Sequence, residues 1–177
     1  AVLCVGYHAR SGTQGILSHT ISSRVIYDLR INGQSQGELG INAGIAGYFS
    51  VPVVLATGDA TCSQQAQDLI PGIEVATVKE SLTRHSAKCL SPSKAQTLIR
   101  QRAKRAVERR REIAPVVYEV PVTMTIQFTY SVMADVAELI PGVKRSDGMT
   151  VSYTSSDYLE AFKCILAMTF MASQVQP

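Results

Sequence analysis

The stretch GELGINAGIAGYFSVPVVLATGD, residues 37–59, decides the fold class. Its first part, residues 37–49, carries glycines at three- and four-residue spacing, which is typical of a helix that packs closely against a sheet or another helix. The second part, residues 51–59, is an apolar run that ends in Gly58 and Asp59, as expected of a strand. A helix that leads directly into such a strand favours an α/β fold.

The same alternation continues on both sides of this stretch. Asn32-Gly33 is a strong hairpin signal, because both turn positions favour positive φ. The patterns predict strands over residues 2–7, 23–31, 51–59, 73–80, 120–128 and 148–155, and helices over 37–49, 60–69, 91–113, 131–140 and 156–173. We interpret 2–7 as a strand buried on both faces. Residues 1–177 are therefore expected to form a single α/β domain, a layered sheet with flanking helices.

The composition indicates a globular protein. Hydrophobic residues make up 46% of the chain and charged residues 18%, which excludes a disordered chain. The net charge of +3 does not require a nucleic-acid partner. No apolar run approaches the ~20 residues that span a bilayer, so we expect no membrane partner. No signal peptide is visible, and the four cysteines lack C-x-x-C spacing, which favours mostly buried, unbridged thiols and a cytoplasmic location.

Two of the three histidines lie in GYHARSGTQGILSHT, residues 6–20, where a predicted strand ends. Imidazole is a frequent zinc ligand and the usual acid–base group near neutral pH. Glu38 follows at a helix start, where a carboxylate is stabilised by the helix dipole. His8, His19 and Glu38 could therefore form a metal site. The alternative is that both histidines are loop residues bonded to backbone and that Glu38 is an ordinary helix-start acid.

Two other patterns favour structural interpretations. His85 and Cys89 are four residues apart and would share a helix face, but we favour Cys89 in the core and His85 at an edge. Residues 94–112 carry eight Lys or Arg. Read as a helix, they would turn a basic face to solvent, and the alternative of nucleic-acid binding lacks supporting basic loops and aromatics. The apolar stripe of that helix would consist of Ala95, Leu98, Ile99, Ala103, Ala106 and Val107.

Four stretches make the chain resemble a known family. They are GYHARSGTQGILSH (6–19), GELGINAGIAGYFSVPVVLATGD (37–59), LIPGIEVATVKESLTRHSAKCLSPSKA (69–95) and DYLEAFKCILAMTFMA (157–172). In order along the chain, they resemble the zinc-dependent D-aminopeptidases of bacteria, whose type member is encoded with a dipeptide-transport operon. The resemblance covers nearly the whole chain, and the first two stretches are the most specific.

The resemblance implies a function and a set of site residues. Members of this family hold two zinc ions, remove the N-terminal residue from short peptides with a preference for D-amino acids, and form ring-shaped homo-oligomers. His8 matches a histidine that binds one zinc, and Glu38 matches the carboxylate that binds the same ion. His19 matches a histidine proposed to act in catalysis without binding metal.

The chain also departs from the family pattern. Family members begin with a strand that carries an Asp-x-Glu pair and continue with an Asp-Ser-His segment, and neither is present here, so two of five expected metal ligands remain. We therefore expect the C-terminal two-thirds of a longer enzyme, truncated at its N-terminus, with an unpaired apolar sheet edge. The alternative is a catalytically incomplete chain that acts only in assembly.

Overall fold

The structure, a computed structural model, describes residues 1–175. Tertiary contacts divide the chain into two compact units. Unit 1 contains Ala1–Ser18 and Asn42–Val117, and unit 2 contains His19–Ile41 and the chain from Tyr118 onward. Each unit holds one sheet with flanking helices, so the predicted α/β class is confirmed.

Most predicted elements are present. Within the described residues, the elements in chain order are β1 (Val2–Cys4), β2 (Ile26–Ile31), β3 (Gln34–Ser35), α1 (Glu38–Tyr48), β4 (Val53–Asp59), α2 (Ala60–Leu69), β5 (Glu74–Thr83), β6 (Ser86–Cys89), α3 (Pro92–Glu108), β7 (Val122–Phe128), α4 (Ser131–Ala137), β8 (Lys144–Arg145), β9 (Thr150–Ser155) and α5 (Tyr158–Ser173). No helix among them is long and apolar enough to cross a membrane.

Unit 1 is built on a four-stranded sheet in the order β1-β4-β5-β6. β1, β4 and β5 are parallel, and β6 returns antiparallel to β5. Every residue of β4 is buried, and α2 and α3 pack against β4 and β5. The prediction of a strand buried on both faces over residues 2–7 is wrong. β1 is three residues long and its Leu3 is exposed, because β1 lies at the edge of this sheet.

Unit 2 is built on a five-stranded antiparallel sheet in the order β3-β2-β7-β9-β8. The predicted Asn-Gly hairpin joins β2 to β3, with φ of 49° at Asn32 and 82° at Gly33. Residues of β7 alternate between buried and half-buried, as the period of two in the sequence predicts. α5 packs on β7 and β9, and the side chain of Asp157 caps its N-terminus by accepting from the Glu160 N–H at 2.8 Å.

Candidate metal and catalytic site

In unit 1, His8 lies four residues past Cys4, the last residue of β1. The backbone just before it is fixed on β4, because the Tyr7 N–H donates to the carbonyl of Thr57 at 2.8 Å. The Gly6 N–H donates to the Thr57 hydroxyl oxygen at 2.9 Å. Gly58 has no room for a side chain here, since a Cβ would lie 2.2 Å from the Tyr7 carbonyl oxygen. His8 therefore lies at the carboxyl ends of parallel strands, where α/β sheets usually bind ligands.

The loop that follows His8, residues 9–16, is held by the start of α2. Asp59 accepts a hydrogen bond from the Ile16 N–H at 2.8 Å. The Thr61 hydroxyl donates to the carbonyl of Gln14 at 2.7 Å, and Gln65 accepts from the Arg10 N–H at 3.1 Å. These bonds hold irregular backbone in one conformation beside His8. The sequence pattern places Asp59 at a strand end, but the only signal for Thr61 and Gln65 is their position on the helix that follows Asp59.

The contact of the His8 ring with the Ala9 carbonyl assigns one tautomer to the neutral ring. Its Nδ1 lies 3.0 Å from the carbonyl oxygen of Ala9. A carbonyl oxygen only accepts hydrogen bonds, so Nδ1 must carry the proton. In the neutral ring the lone pair is then on Nε2. Histidines that ligate metals commonly donate their other ring N–H to a backbone carbonyl in this way, which makes Nε2 the nitrogen suited to a metal.

In unit 2, the structure brings His19 and Glu38 together. Nε2 of His19 lies 3.8 Å from Oε1 of Glu38, within ion-pair range of a protonated imidazole but too far for a hydrogen bond. The same carboxylate oxygen accepts the Ile21 N–H at 2.7 Å. Glu38 is the first residue of α1, where the helix dipole stabilises a negative charge. Both side chains are partly open to solvent, at 31% for His19 and 25% for Glu38, so a substrate or ion can reach them.

The histidine–cysteine pair His85 and Cys89 does not form a site. His85 lies in the turn between β5 and β6, and Cys89 ends β6, so the two are not on one helix face. The expectation that Cys89 packs in the core is wrong, because β6 is the edge strand of its sheet and Cys89 is exposed. His85 is at an edge, as expected. The four cysteines form no disulfide; Cys4 and Cys62 are buried and Cys164 is half-buried.

The helix predicted over residues 91–113 is α3, which ends at Glu108, and the charges on its basic face are not simply solvated. Three arginines reach the carboxylate of Glu74, the first residue of β5, whose side chain is 4% exposed. Arg102 donates at 3.0 Å, Arg105 lies at 2.9 Å, and Arg109 also bonds to it. Burial alone would raise the pKa of Glu74, but the hydrogen bonds from Arg102 and Arg109 and the charge of Arg105 outweigh it, so the pKa is lowered.

Comparisons with known proteins place this geometry in a family context. The D-aminopeptidase family, Peptidase_M55, matches residues 1–167. A D-aminopeptidase of Bacillus subtilis strain 168 is 37% identical over 174 residues, which are 96% of this chain and 62% of the relative. The solved structure of the Zn-dependent D-aminopeptidase DppA from Bacillus subtilis, described as a self-compartmentalizing protease, is similar at a TM-score of 0.94 and 34% identity. That match covers 99% of this chain and 65% of that chain. The chain thus spans less than two thirds of the length of both proteins.

Proposed function

Because the chain belongs to the D-aminopeptidase family, we propose that it acts as a zinc-dependent aminopeptidase. The proposed reaction is the release of N-terminal residues, preferentially D-amino acids, from short peptides. The observation that carries the proposal is the 3.8 Å approach of His19 to Glu38. Within one unit, this approach brings an acid–base group close to a carboxylate that is able to bind metal.

The proposed zinc ligands in this chain are His8 and Glu38. Imidazole nitrogen and carboxylate oxygen are both usual zinc ligands. The donor set fits zinc, because Nε2 of His8 keeps its lone pair while Nδ1 donates to Ala9, and because Glu38 is half-buried at a helix start. We propose two zinc ions in the working enzyme, by resemblance to the family.

The catalytic residue is proposed to be His19. When bound, zinc would lower the pKa of a coordinated water and would stabilise negative charge that develops on the substrate. His19 holds a proton beside the reacting groups and delivers it to the amine that leaves when the peptide bond breaks. The Glu38 carboxylate lies 3.8 Å from Nε2 of His19, so the proposed acid–base group stands beside a proposed zinc ligand.

The proposed partners are short peptides and further copies of the same chain. The similar Bacillus subtilis structure is described as self-compartmentalizing, which supports a homo-oligomer, and we propose that it is ring-shaped. We place the protein in the cytoplasm, and we propose neither nucleic acid nor a membrane as a partner.

Zinc analysis and peptide hydrolysis test the proposal together. The purified protein should bind zinc and hydrolyse a D-alanyl peptide. His8→Ala and Glu38→Ala should lower both the zinc content and the activity. His19→Ala should keep its zinc and lose about 10²- to 10⁴-fold in kcat, as expected for a general acid–base.

The matched control is His85→Ala, which removes the remaining histidine from an exposed turn. It should change neither zinc content nor activity. A wild-type protein that takes up no zinc, or a His19→Ala variant with full activity, would contradict the proposed function or the proposed role of His19, respectively. An oligomer without zinc or activity would instead favour a chain that acts only in assembly.

A further inference from the structure

We infer that Asp59 is a positioning residue for His8. Its carboxylate fixes the loop of residues 9–16 so that the Ala9 carbonyl holds Nδ1–H of His8 and Nε2 is presented to the metal. The inference rests on the proposed function, in which His8 is a ligand of zinc. All the contacts that carry it lie within unit 1.

Asp59 uses its two carboxylate oxygens on two different segments. Its side chain is completely buried. Oδ1 accepts the Cys62 N–H at 2.7 Å, which caps α2, and Oδ2 accepts the Ile16 N–H at 2.8 Å, which anchors the loop. Capping a helix needs one acceptor oxygen, which Ser, Thr or Asn also supplies. The second oxygen, placed at the cost of burying a carboxylate, serves the loop.

Close packing carries this anchor from Asp59 to Ala9. Gly15, next to Ile16, is pressed between them. A Cβ on Gly15 would lie 3.0 Å from Oδ2 of Asp59 and 2.5 Å from Cβ of Ala9. Ala9 is itself fully buried. A shift of the loop away from Asp59 must therefore move Ala9 as well.

The last link is the hydrogen bond between Ala9 and the ring of His8. The Ala9 carbonyl accepts from Nδ1 at 3.0 Å, which selects the tautomer with the lone pair on Nε2. If the carbonyl moves, this hydrogen bond no longer selects the tautomer of the ring. Loss of such a supporting contact typically lowers metal affinity about 10- to 100-fold. Asp59 never needs to touch the metal for its removal to have this effect.

The test is Asp59→Asn, which keeps the shape of the side chain but replaces one acceptor oxygen with an NH₂ group. Two quantities are measured: the zinc dissociation constant, by competition with a chromophoric chelator, and the ring nitrogen NMR shifts of His8 in metal-free protein. The chain has three histidines, so these signals can be assigned with His19→Ala and His85→Ala. We expect zinc affinity to fall about 10-fold and the Nδ1–H tautomer of His8 to lose its dominance.

Asp157→Asn is the matched control, since Asp157 caps α5 by accepting the Glu160 N–H. It makes the same chemical change at a helix cap that does not hold the His8 loop. We expect wild-type zinc affinity and an unchanged His8 tautomer. Equal losses in both variants would overturn the inference, because they would reflect general destabilisation. Wild-type affinity and tautomer in Asp59→Asn would overturn it directly.

Two further measurements keep the outcome decisive. If Asp59→Asn does not fold, Gly15→Ala perturbs the same path while keeping both carboxylate oxygens of Asp59, and an unchanged His8 tautomer in that variant would overturn the inference. If the wild-type protein binds no zinc, the proposed function fails. The tautomer of His8 in metal-free wild-type and Asp59→Asn protein still tests the positioning role by itself.

Discussion

Asp59 and Glu74 are buried carboxylates at opposite ends of two neighbouring parallel strands in unit 1. Asp59 ends β4, and Glu74 begins β5, where it pairs with Leu55 near the start of β4. Asp59 accepts backbone N–H groups from a loop and a helix turn. Glu74 instead accepts arginine side chains from α3.

The difference shows that the buried carboxylates at the two ends of one sheet have different roles. One fixes the geometry of a loop, and the other stabilises the packing of a helix on the sheet. Backbone donors fix the position of the chain, so the carboxyl end of β4 acquires a defined loop beside His8. Arginine side chains attach a helix to the sheet and leave the backbone around Glu74 regular. The carboxyl ends of parallel strands are where α/β proteins bind ligands. At this end, the carboxylate of Asp59 fixes the position of the loop. Four substitutions test this difference between the two ends of the sheet.

Gly58→Ala should produce the largest effect. Its Cβ would lie 2.2 Å from the Tyr7 carbonyl oxygen, a backbone atom that cannot move without shifting the start of the His8 loop. We expect the free energy of unfolding to fall by about 3 kcal/mol, measured by urea denaturation. Gly148→Ala is the control, since a Cβ there meets nothing within 4 Å. If Gly58→Ala is as stable as Gly148→Ala, the carboxyl end of the sheet is not tightly packed and the comparison fails.

Glu74→Gln should have the next largest effect, with a pH dependence of known sign. At neutral pH we expect a loss of about 2 kcal/mol, less than for a fully buried ion pair because Arg102, Arg105 and Arg109 are partly exposed. The pKa of Glu74 is lowered in the folded state from an ordinary value of 4.5. The stabilisation is therefore complete above about pH 4.5 and is lost as the pH falls through the folded-state pKa.

Urea denaturation at several pH values checks this prediction. The difference between wild type and Glu74→Gln should shrink as the solution is acidified below about pH 4.5. Glu112→Gln is the control, because Glu112 also pairs with Arg109 but is 62% exposed, and it should cost less than about 0.5 kcal/mol. A pH-independent difference would mean that the Glu74 cluster stabilises through shape rather than charge.

Much of the fold could be predicted because its signals are local. The Asn32-Gly33 turn and the helix over residues 60–69 are present where the patterns place them. β6 was not predicted, because SAKC is short and lacks β-branched residues, and only its pairing with β5 makes it a strand. The exposed edge of β1 depends equally on which strands lie beside it.

The site was predictable only in part, because some of its contacts join residues that are far apart in the sequence. Glu38 and Asp59 stand at element ends that periodicity identifies, whereas His8 lies four residues past the end of β1. The second partner of Asp59, Ile16, is 43 residues away in sequence. The spacing of the arginines on α3 shows that they share a helix face, but their target is a carboxylate at the start of β5. Such contacts depend on packing between elements, which no local pattern specifies.

Thr61→Val tests one of the hydrogen bonds that hold the His8 loop at the carboxyl end of β4. It removes the hydroxyl that donates to the Gln14 carbonyl at 2.7 Å. We expect a loss of about 0.5–1 kcal/mol, the usual contribution of one neutral hydrogen bond, measured by urea denaturation. Thr97→Val is the control, since that hydroxyl bonds to Ser93 within α3 itself and holds no loop. Equal losses in the two variants would mean that the hydroxyl of Thr61 adds nothing specific to the loop.

Lys104→Ala should have the smallest effect on stability. Compared with Arg102→Ala, it shows how much the burial of Glu74 strengthens an ion pair made by α3. Lys104 lies 3.9 Å from Glu108, one turn along the helix, and both side chains are more than half exposed. We expect a change of about 0.3 kcal/mol that disappears at high salt. Arg102, two residues earlier, bonds to the buried Glu74, so Arg102→Ala should cost several times more and keep most of that cost in salt. If salt abolished both effects equally, the buried carboxylate would be no better shielded from solvent than the surface pair, and the amino end of β5 would owe its stability to α3 packing alone.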